Sequence, residues 1–268
     1  MSEAIKPAIV HPVHADTVWS RMRVEAATAA ADEPVLASFL NATLLHHDTM
    51  AQALSYRLAE KLSDGEMNAM LWREVAEAAY ADEPKIVAAA IEDSLAYYER
   101  DPACQFLSQP FLYFKGFHAL QSYRVANWLW RQGRQALALY LQSRMSELFT
   151  IDINPAATIG KGIFIDHGHG IVIGMTARVG DNVSILQGVT LGGTGKEVGD
   201  RHPKIGNGVM IGAGAKVLGN IEVGDGAKIA AGSVVLNPVQ PFCTVAGVPA
   251  EPKGNCKKMA ASEMDQHI

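Results

Sequence analysis

His167 is the side chain in this sequence best suited to accept a proton. It stands in the segment Ile-Asp-His-Gly-His-Gly at 165–170, directly after the carboxylate of Asp166. A neutral imidazole oriented by a carboxylate is the usual general base near pH 7. Asp152 precedes His167 by 15 residues, which is close to the roughly 18 residues of a coil made of three six-residue units. The spacing therefore allows a histidine–carboxylate dyad, and it equally allows two structural residues.

A mechanism through a serine or cysteine nucleophile has less support in the sequence. None of the three cysteines lies in the histidine-containing segment, and no Gly-x-Ser-x-Gly motif occurs. The residues favour direct, base-assisted transfer without a covalent enzyme intermediate.

A glycine-rich segment that ends at Lys204 concentrates positive charge in an otherwise acidic chain. Lys196, Arg201 and His202 precede Lys204 within a few positions. Guanidinium and ammonium groups beside glycine-rich backbone are suited to bind phosphate or carboxylate. The segment predicts an anion-binding loop, with a solvated loop of incidental charge as the alternative.

These candidates lie in a region with an aliphatic residue at every sixth position. Two steps depart from six: a two-residue slip before position 173, and eight extra residues between 191 and 205. Such hexads are typical of a parallel β-helix, in which the aliphatic side chain fills the narrow interior and small residues permit the corners. The extra residues predict a loop on one face. The aliphatic positions are Ile153, Ile159, Ile165, Ile173, Val179, Ile185, Leu191, Ile205, Ile211, Val217, Val223, Ile229 and Val235.

The composition divides the chain into two architectures. Of 24 glycines, 20 lie in 151–250, whereas 17 of the 19 aromatic residues lie outside that range. The first half has apolar residues at helical spacing, and Ala-Asp-Glu-Pro occurs at 31–34 and again at 81–84, where it predicts helix starts. Two further helices are predicted over about 112–132 and 134–150, with Gly133 as the break between them. We therefore expect an α+β protein. An all-α domain (1–150) precedes the β-helix (151–250), and a flexible tail follows (251–268).

Charge and cysteine content narrow the class further. The net charge of −5 gives no general attraction to nucleic acid or anionic lipid, and no apolar run is long enough to span a bilayer. Cys104, Cys243 and Cys256 are odd in number and share no metal or redox spacing. That pattern fits a reducing compartment and predicts a cytoplasmic protein.

Several segments resemble the serine O-acetyltransferase family. In the repeat region they are IDINPAATIGKGIFIDHGHGIVIG (151–174), SILQGVTLGGTGK (184–196), DRHPKIGNGVMIGAGAKVLGNIEVG (200–224) and AGVPA (246–250). In the helical half they are EPVLASFLNATLLHHDTMAQALSYRLAEKL (33–62), RDPAC (100–104) and YFKGFHALQSYRVANWLW (113–130). The hexapeptide repeat is shared by many acyltransferases, so the helical half and the segments around His167 and Arg201 carry the specificity.

The resemblance implies a left-handed β-helix and direct acetyl transfer from acetyl-CoA to the hydroxyl of L-serine. It implies no metal and no permanently bound cofactor, with acetyl-CoA as co-substrate. His167 would be the general base and Asp152 its orienting carboxylate. Either a backbone amide of the glycine-rich loop or His202 would stabilise the oxyanion.

The resemblance also assigns residues to the two substrates. The L-serine site would consist of Asp101 and Asp166 for the ammonium group and of Arg201 and His202 for the carboxylate. Without the resemblance, Asp101 would be interpreted as a turn or helix-cap residue. The residues that would line the acetyl-CoA site are Gly193, Ala213, Lys228 and Ala231.

Partners follow from the same resemblance. The family forms trimers through the β-helices and pairs trimers into hexamers, and L-cysteine inhibits it at the serine site. A terminal isoleucine, here Ile268, would enter the active site of O-acetylserine sulfhydrylase. The stretch before Ile268 departs from the longer, more glycine-rich and acidic tails of the family. Ala230 stands where the repeat usually has glycine, with no expected functional consequence.

Three other functions fit the sequence less well. A β-helical zinc hydratase of the γ-carbonic anhydrase kind would need a His-x4-His pair, which none of the nine histidines forms. A catalytically idle scaffold for the sulfhydrylase would not need Asp152, His167, Arg201 and His202 together. An acetyltransferase acting on a sugar or xenobiotic has no use for Asp101, since those acceptors lack the amino-acid ammonium group.

Overall fold

The computed structural model describes residues 15–195, 198–254, 256 and 264. Within them, the first half is helical, with a 3₁₀ turn at Pro34–Leu36 and a π-helical turn at Asn41–Leu45. The α-helices are α1 (Ala15–Asp32), α2 (Ala37–Leu40), α3 (Met50–Leu62), α4 (Ala69–Asp82), α5 (Lys85–Arg100), α6 (Ser108–Tyr113), α7 (Lys115–Arg131) and α8 (Gln135–Phe149).

Local sequence explains where several helices begin and end. Thr49 and Gln52 form a capping box at the start of α3, and the Asn68 side chain accepts the Leu71 N–H at the start of α4. Both Ala-Asp-Glu-Pro segments separate one helix from the next, so the helix starts predicted there are confirmed. Gly133, with φ of +75°, ends α7 as predicted.

One predicted helix is divided in two. The sequence predicts a continuous helix over about 112–132, whereas α6 ends at Tyr113 and α7 begins at Lys115. Phe114 between them is extended, with φ of −87° and ψ of 116°. The break turns the chain so that Gly116 packs against the β-helix.

The second half forms short strands at the predicted hexads. Each of the thirteen aliphatic positions lies in one of the strands β1 to β13, and all are buried except Ile159, which is partly buried. The strands are β1 (Ile151–Ile153), β2 (Thr158–Ile159), β3 (Phe164–Ile165), β4 (Ile171–Ile173), β5 (Arg178–Val179), β6 (Ser184–Ile185), β7 (Thr190–Gly192), β8 (Lys204–Ile205), β9 (Met210–Ile211), β10 (Lys216–Leu218), β11 (Glu222–Val223), β12 (Lys228–Ile229), β13 (Val234–Val235), β14 (Thr244–Ala246) and β15 (Glu251–Lys253).

The strands stack into three faces of a parallel β-helix. The first face contains β1, β4, β7, β10 and β13, and the second contains β2, β5, β8 and β11. The third contains β3, β6, β9, β12, β14 and β15, of which only the β14–β15 pair is antiparallel. The chain passes from the third face to the first at the third–first corner, and from the first face to the second at the first–second corner. The predicted inserted loop joins β7 to β8 at the first–second corner.

The helical half covers the open edge of the first coil. No coil precedes this one, so its outward backbone groups need other partners. Side chains of α5 and α7 supply them. These contacts are Asp93 to Ile163 N–H, Tyr97 to Ile165, Arg100 to Gly162 C=O, Tyr123 to Ala157 C=O, Arg124 to Gly160 C=O, and Asn127 to the Pro155 and Ala157 carbonyls.

The other end of the β-helix differs from two expectations. β15 lies in the range assigned to the tail and pairs with β14. Cys243 and Cys256 form a disulfide, which neither their spacing nor the interpretation of the cysteines as reduced predicted. The β14–β15 hairpin brings these residues together although they lie 13 positions apart. Among the helices described, none has the length and apolar character needed to cross a membrane. Ile268 lies outside the described residues.

Candidate active site

A cavity of about 480 Å³ lies where the helices meet the third–first corner. Asp101, Asp166 and His167 line it together, although 65 residues separate the first two. Asp101 follows the last residue of α5, and its Oδ1 accepts the Ala103 N–H at 2.8 Å. Asp101 is therefore a turn residue, and it also lines the cavity.

Asp166 and His167 present a carboxylate and an imidazole side by side. His167 Nε2 lies 3.8 Å from Asp166 Oδ1, and the His167 side chain is 75% exposed. Burial raises the pKa of Asp166, with a smaller contribution in the same direction from the charge of Asp101. Two carboxylates that share a partly buried cavity favour a cationic ligand, because an ammonium group relieves their repulsion.

The loop that carries His167 has an unusual backbone and several anchors. His167 adopts φ of +54°, and Gly168 and Gly170 also have positive φ. Gly170 N–H donates to the Thr150 carbonyl at 2.8 Å. Thr150 Oγ1 lies 3.0 Å from His169 Nδ1, and Lys115 Nζ lies 3.3 Å from Thr150 Oγ1. The turn therefore projects the His167 ring from a fixed base.

Asp152 does not pair with His167 in this chain. It lies in β1 opposite Val172, and its Oδ1 accepts the Gln142 amide of α8 at 2.6 Å. No ion pair within 4.0 Å joins the described Asp152 and His167. Side chains alternate along β1, so Asp152 points out of the first face between buried Ile151 and Ile153.

Arg201 and His202 lie at the first–second corner, in the inserted loop. The Thr176 N–H donates to His202 Nδ1 at 3.2 Å, which places the proton of the neutral ring on Nε2. Burial, together with the charges of Arg201 and Lys204, lowers the pKa of His202. A Cβ at Gly174 would overlap the His202 ring, so only glycine fits beneath it. Lys196 of the predicted basic loop lies outside the described residues.

The predicted serine-site residues therefore form two groups within one chain. Asp101 and Asp166 lie at the third–first corner, whereas Arg201 and His202 lie at the first–second corner. The whole first face separates these corners. One chain alone does not bring the four residues together.

The residues predicted to line the acetyl-CoA site are likewise divided. Ala213 and Ala231 lie along the third–first corner in the third and fourth coils, and Lys228 is in β12 of the neighbouring face. Backbone bonds continue this column from the His167 loop: Gly188 N–H donates to His169, Gly214 to Gln187, and Gly232 to Ala213. Gly193 lies at the other corner, under the side chain of Arg201.

Sequence reasoning missed three residues that the structure brings to these corners. Lys115 lines the cavity and contacts the His167 loop. Thr176 Oγ1 accepts the N–H groups of Arg201 and His202 at 3.0 and 3.2 Å and so shapes the inserted loop. Gln187 Oε1 is buried at the third–first corner without a hydrogen-bond partner among the described residues. None of them occupies a special position in a motif that would have identified it.

Comparison with known proteins decides the family. Residues 18–122 match the family model "Serine acetyltransferase, N-terminal", and residues 202–237 match "Bacterial transferase hexapeptide (six repeats)". The serine acetyltransferase of Escherichia coli is 58% identical over 254 residues, which cover 94% of this chain and 93% of the relative. This chain belongs to the serine acetyltransferase family. The helical half carries the distinction, because the hexapeptide model is shared by other transferases.

Solved serine acetyltransferases have the same fold. The crystal structure from Vibrio cholerae gives a TM-score of 0.93 at 58% identity and covers 95% of this chain and 99% of its own. A serine acetyltransferase in complex with cysteine gives 0.94 at 54% identity over 95% and 100% of the two chains. A complex with CoA gives 0.86 at 55% identity over 90% and 100%. The Neisseria gonorrhoeae enzyme in complex with serine gives 0.86 at 52% identity over 88% and 97%.

Within the residues that the structure describes, no group of three or more His, Cys, Asp or Glu side chains is arranged to hold a metal ion.

Proposed function

We propose that this serine acetyltransferase moves the acetyl group of acetyl-CoA directly to the hydroxyl of L-serine, with His167 as general base. One observation carries the proposal. The cavity combines an exposed imidazole with two carboxylates suited to an amino-acid ammonium group, in a chain whose relatives include complexes with serine and with CoA.

The reaction needs one base and one oxyanion donor. Neutral His167 takes the serine hydroxyl proton while the hydroxyl oxygen attacks the thioester carbonyl carbon, giving a tetrahedral oxyanion and an imidazolium. Collapse breaks the carbon–sulfur bond, and the imidazolium returns its proton to the departing CoA thiolate. Asp166 next to His167 stabilises the imidazolium. Asp152 as the orienting carboxylate stays a prediction, because in the single chain it binds Gln142.

A second copy of the chain completes the serine site. In a trimer of β-helices, the first–second corner of one copy lies against the third–first corner of the next. Arg201 of that copy then binds the substrate carboxylate that faces the Asp101–Asp166 pair. The His202 Nε2–H, or a backbone amide of the inserted loop, donates to the oxyanion. Pairing of two trimers through their helical halves gives the proposed hexamer.

Acetyl-CoA lies along the third–first corner in this proposal. Ala213 and Ala231 leave room for the pantetheine arm on successive coils about 4.8 Å apart, and Lys228 attracts a phosphate. The buried, unpartnered Gln187 Oε1 can accept one of the pantetheine amide N–H groups. Gly193 of the adjacent copy closes the other side of the groove.

Inhibition and partners follow the same chemistry. L-Cysteine differs from L-serine only in its thiol, so it competes for the ammonium and carboxylate groups of the serine site, and a solved relative is a complex with cysteine. We also propose binding of O-acetylserine sulfhydrylase through Ile268, and a cytoplasmic location.

The first experiment measures thiol release from acetyl-CoA by purified protein, with and without L-serine and L-cysteine. The matched variant is His167→Ala. We expect serine-dependent release that L-cysteine inhibits and that falls about 10²–10⁴-fold in the variant, since general-base catalysis contributes that much. Thiol release that depends on a sugar instead of L-serine would contradict the serine assignment. Absence of turnover with every acceptor would favour the scaffold function.

A further inference from the structure

The backbone of β3 has an unfilled side. Among the described strands, β3 ends the third face and pairs with β6 alone. The N–H groups of Phe164 and Asp166 donate to Val183 and Ile185 in the second coil, at 3.0 and 2.9 Å. Because alternate residues of a parallel strand direct their backbone groups to opposite sides, Ile165 directs its N–H and C=O away from that coil.

Tyr97 of α5 occupies the place of the missing coil at Ile165. Its hydroxyl donates to the Ile165 carbonyl at 2.9 Å and accepts the Ile165 N–H at 3.2 Å. The ring is buried and packs edge-on against Phe164, with centroids 4.9 Å apart. Burial raises the pKa of the Tyr97 hydroxyl well above its usual range, so the group stays protonated and keeps its donor. One phenol thus satisfies both backbone groups of a residue that has no strand partner on that side.

Gly116 limits movement of the same backbone from α7. A Cβ at this position would lie 2.5 Å from the Ile165 oxygen and 2.8 Å from the Tyr97 hydroxyl. Helix and strand therefore meet at backbone contact around Ile165. Little space remains into which the peptide can shift without losing the bonds to Tyr97.

Asp166 and His167 follow Ile165 directly, so any displacement of Ile165 moves both groups in the cavity. We infer that Tyr97 is a positioning residue for acetyl transfer: its hydroxyl fixes the Ile165 peptide, and thereby sets the position of the Asp166 carboxylate and of the His167 ring. This inference rests on the proposed role of His167 as general base. Tyr97 also lines the cavity, but its buried hydroxyl binds the Ile165 peptide, so its effect on the reacting groups passes through Ile165.

The test compares Tyr97→Phe with Tyr123→Phe in the full-length enzyme. Tyr123 is the matched control because its buried hydroxyl donates to the Ala157 carbonyl at 2.5 Å, on the same coil but at the first–second corner. Each variant loses one buried phenol hydroxyl. The measurements are kcat, the serine KM, and the melting temperature.

We expect both variants to melt at lower temperature. Tyr97→Phe leaves the Ile165 N–H and C=O without their partner, and Tyr123→Phe leaves the Ala157 carbonyl with the Asn127 amide alone. Only Tyr97→Phe should lose kcat, by about tenfold, because a small displacement of reacting groups slows the chemical step. Its serine KM should rise by less than about threefold, because a displaced Asp166 keeps its charge close to the ammonium group and Asp101 keeps its contact with Ala103. Tyr123→Phe should keep kcat within about twofold of the wild-type value.

Gly116→Ala is a second probe of the same peptide, since its methyl group must displace the Ile165 carbonyl or the Tyr97 hydroxyl. It too should lower kcat. The inference is overturned by a near-wild-type kcat in Tyr97→Phe or Gly116→Ala, or by an equal loss in Tyr123→Phe. Wild-type turnover is measured first: no serine-dependent turnover would remove the proposed function and this role together, whereas an active wild type with an equally active Tyr97→Phe removes this role alone.

Discussion

At the residue scale, the cavity holds groups that lower stability and are suited to binding. Asp166 has a pKa raised chiefly by burial, with Asp101 adding repulsion. A carboxyl whose folded pKa exceeds its unfolded pKa contributes stability at low pH and loses it as pH rises through the folded pKa. At pH values above the unfolded pKa, Asp166 therefore lowers the stability of the fold, as is usual where a group serves binding at the expense of stability.

Replacement of Asp166 by asparagine separates its effect on stability from its effect on serine binding. We expect Asp166→Asn to raise the melting temperature at pH 7, and to raise the serine KM by about 10–100-fold, since a charge-assisted hydrogen bond contributes roughly 1.5–3 kcal/mol. In the wild type, the serine KM should rise as the pH is lowered and Asp166 becomes protonated. This rise should begin at a higher pH than it would for an aspartate with an ordinary pKa. Steady-state kinetics against pH and thermal melts measure both.

The control for Asp166→Asn is Asp225→Asn. The Asp225 carboxylate accepts the Asn207 N–H at 2.7 Å, far from the cavity in the sequence of coils. This variant should show the opposite pattern, with lower stability and an unchanged serine KM. A fall in melting temperature for Asp166→Asn would contradict the role of burial argued above.

At the scale of elements, α5 and α7 replace a coil that the β-helix lacks. Their central contact is the Asp93–Arg124 ion pair at 2.7 Å, with Asp93 fully buried. Asp93 also accepts the Ile163 N–H and the Gln121 amide, both at 2.9 Å. The helices thus align with the first coil through hydrogen bonds of defined geometry, which apolar packing alone would not supply.

Loss of the Asp93 side chain should therefore lower the free energy of unfolding far more than loss of the neighbouring Glu92 side chain. We expect Asp93→Ala to lower the free energy of unfolding by about 3–5 kcal/mol, because it leaves a buried guanidinium without a counter-ion. The control is Glu92→Ala, which removes an exposed ion pair with Lys161 at 3.7 Å and should cost at most about 1 kcal/mol. Denaturant unfolding of both variants measures the difference. Similar losses of unfolding free energy would contradict the central role of Asp93 in joining the helices to the first coil.

At the scale of the whole molecule, the proposed serine site requires a second copy of the chain, because its residues are divided between two corners. Asp101, Asp166 and His167 lie at one edge of the first face, and Arg201 and His202 lie at the other. An amino acid held at both its ammonium and its carboxylate must therefore contact two chains. The proposed oligomer is then a condition for substrate binding.

Mixed oligomers test this requirement. His167→Ala and Arg201→Ala variants, each inactive alone, are mixed under conditions that exchange subunits. If each site takes His167 from one copy and Arg201 from the next, random assembly restores about a quarter of the sites. Thiol release from acetyl-CoA with L-serine measures the recovery. Activity that stays at the level of the separate variants after confirmed exchange would contradict shared sites.

The sequence alone determined the repeat architecture and indicated candidates for the chemistry. Thirteen hexads became thirteen strands because an interior too narrow for large side chains demands an aliphatic residue at each position. The helix starts and the helix break at Gly133 were also predicted from the sequence, because helix caps and a positive φ depend on local residues. His167 was identified as the candidate base because an imidazole beside a carboxylate on a glycine-rich turn is visible within six residues.

Only the tertiary structure decided which groups meet. It placed Asp166 and Asp101 beside His167, and it directed Asp152 to Gln142, because the outward side chains of a β-helix carry no periodic signal about their neighbours. It also brought Tyr97 to Ile165 and paired Cys243 with Cys256. These contacts depend on how the helices sit on the first coil and how the last hairpin folds back, and neither is encoded in a local pattern.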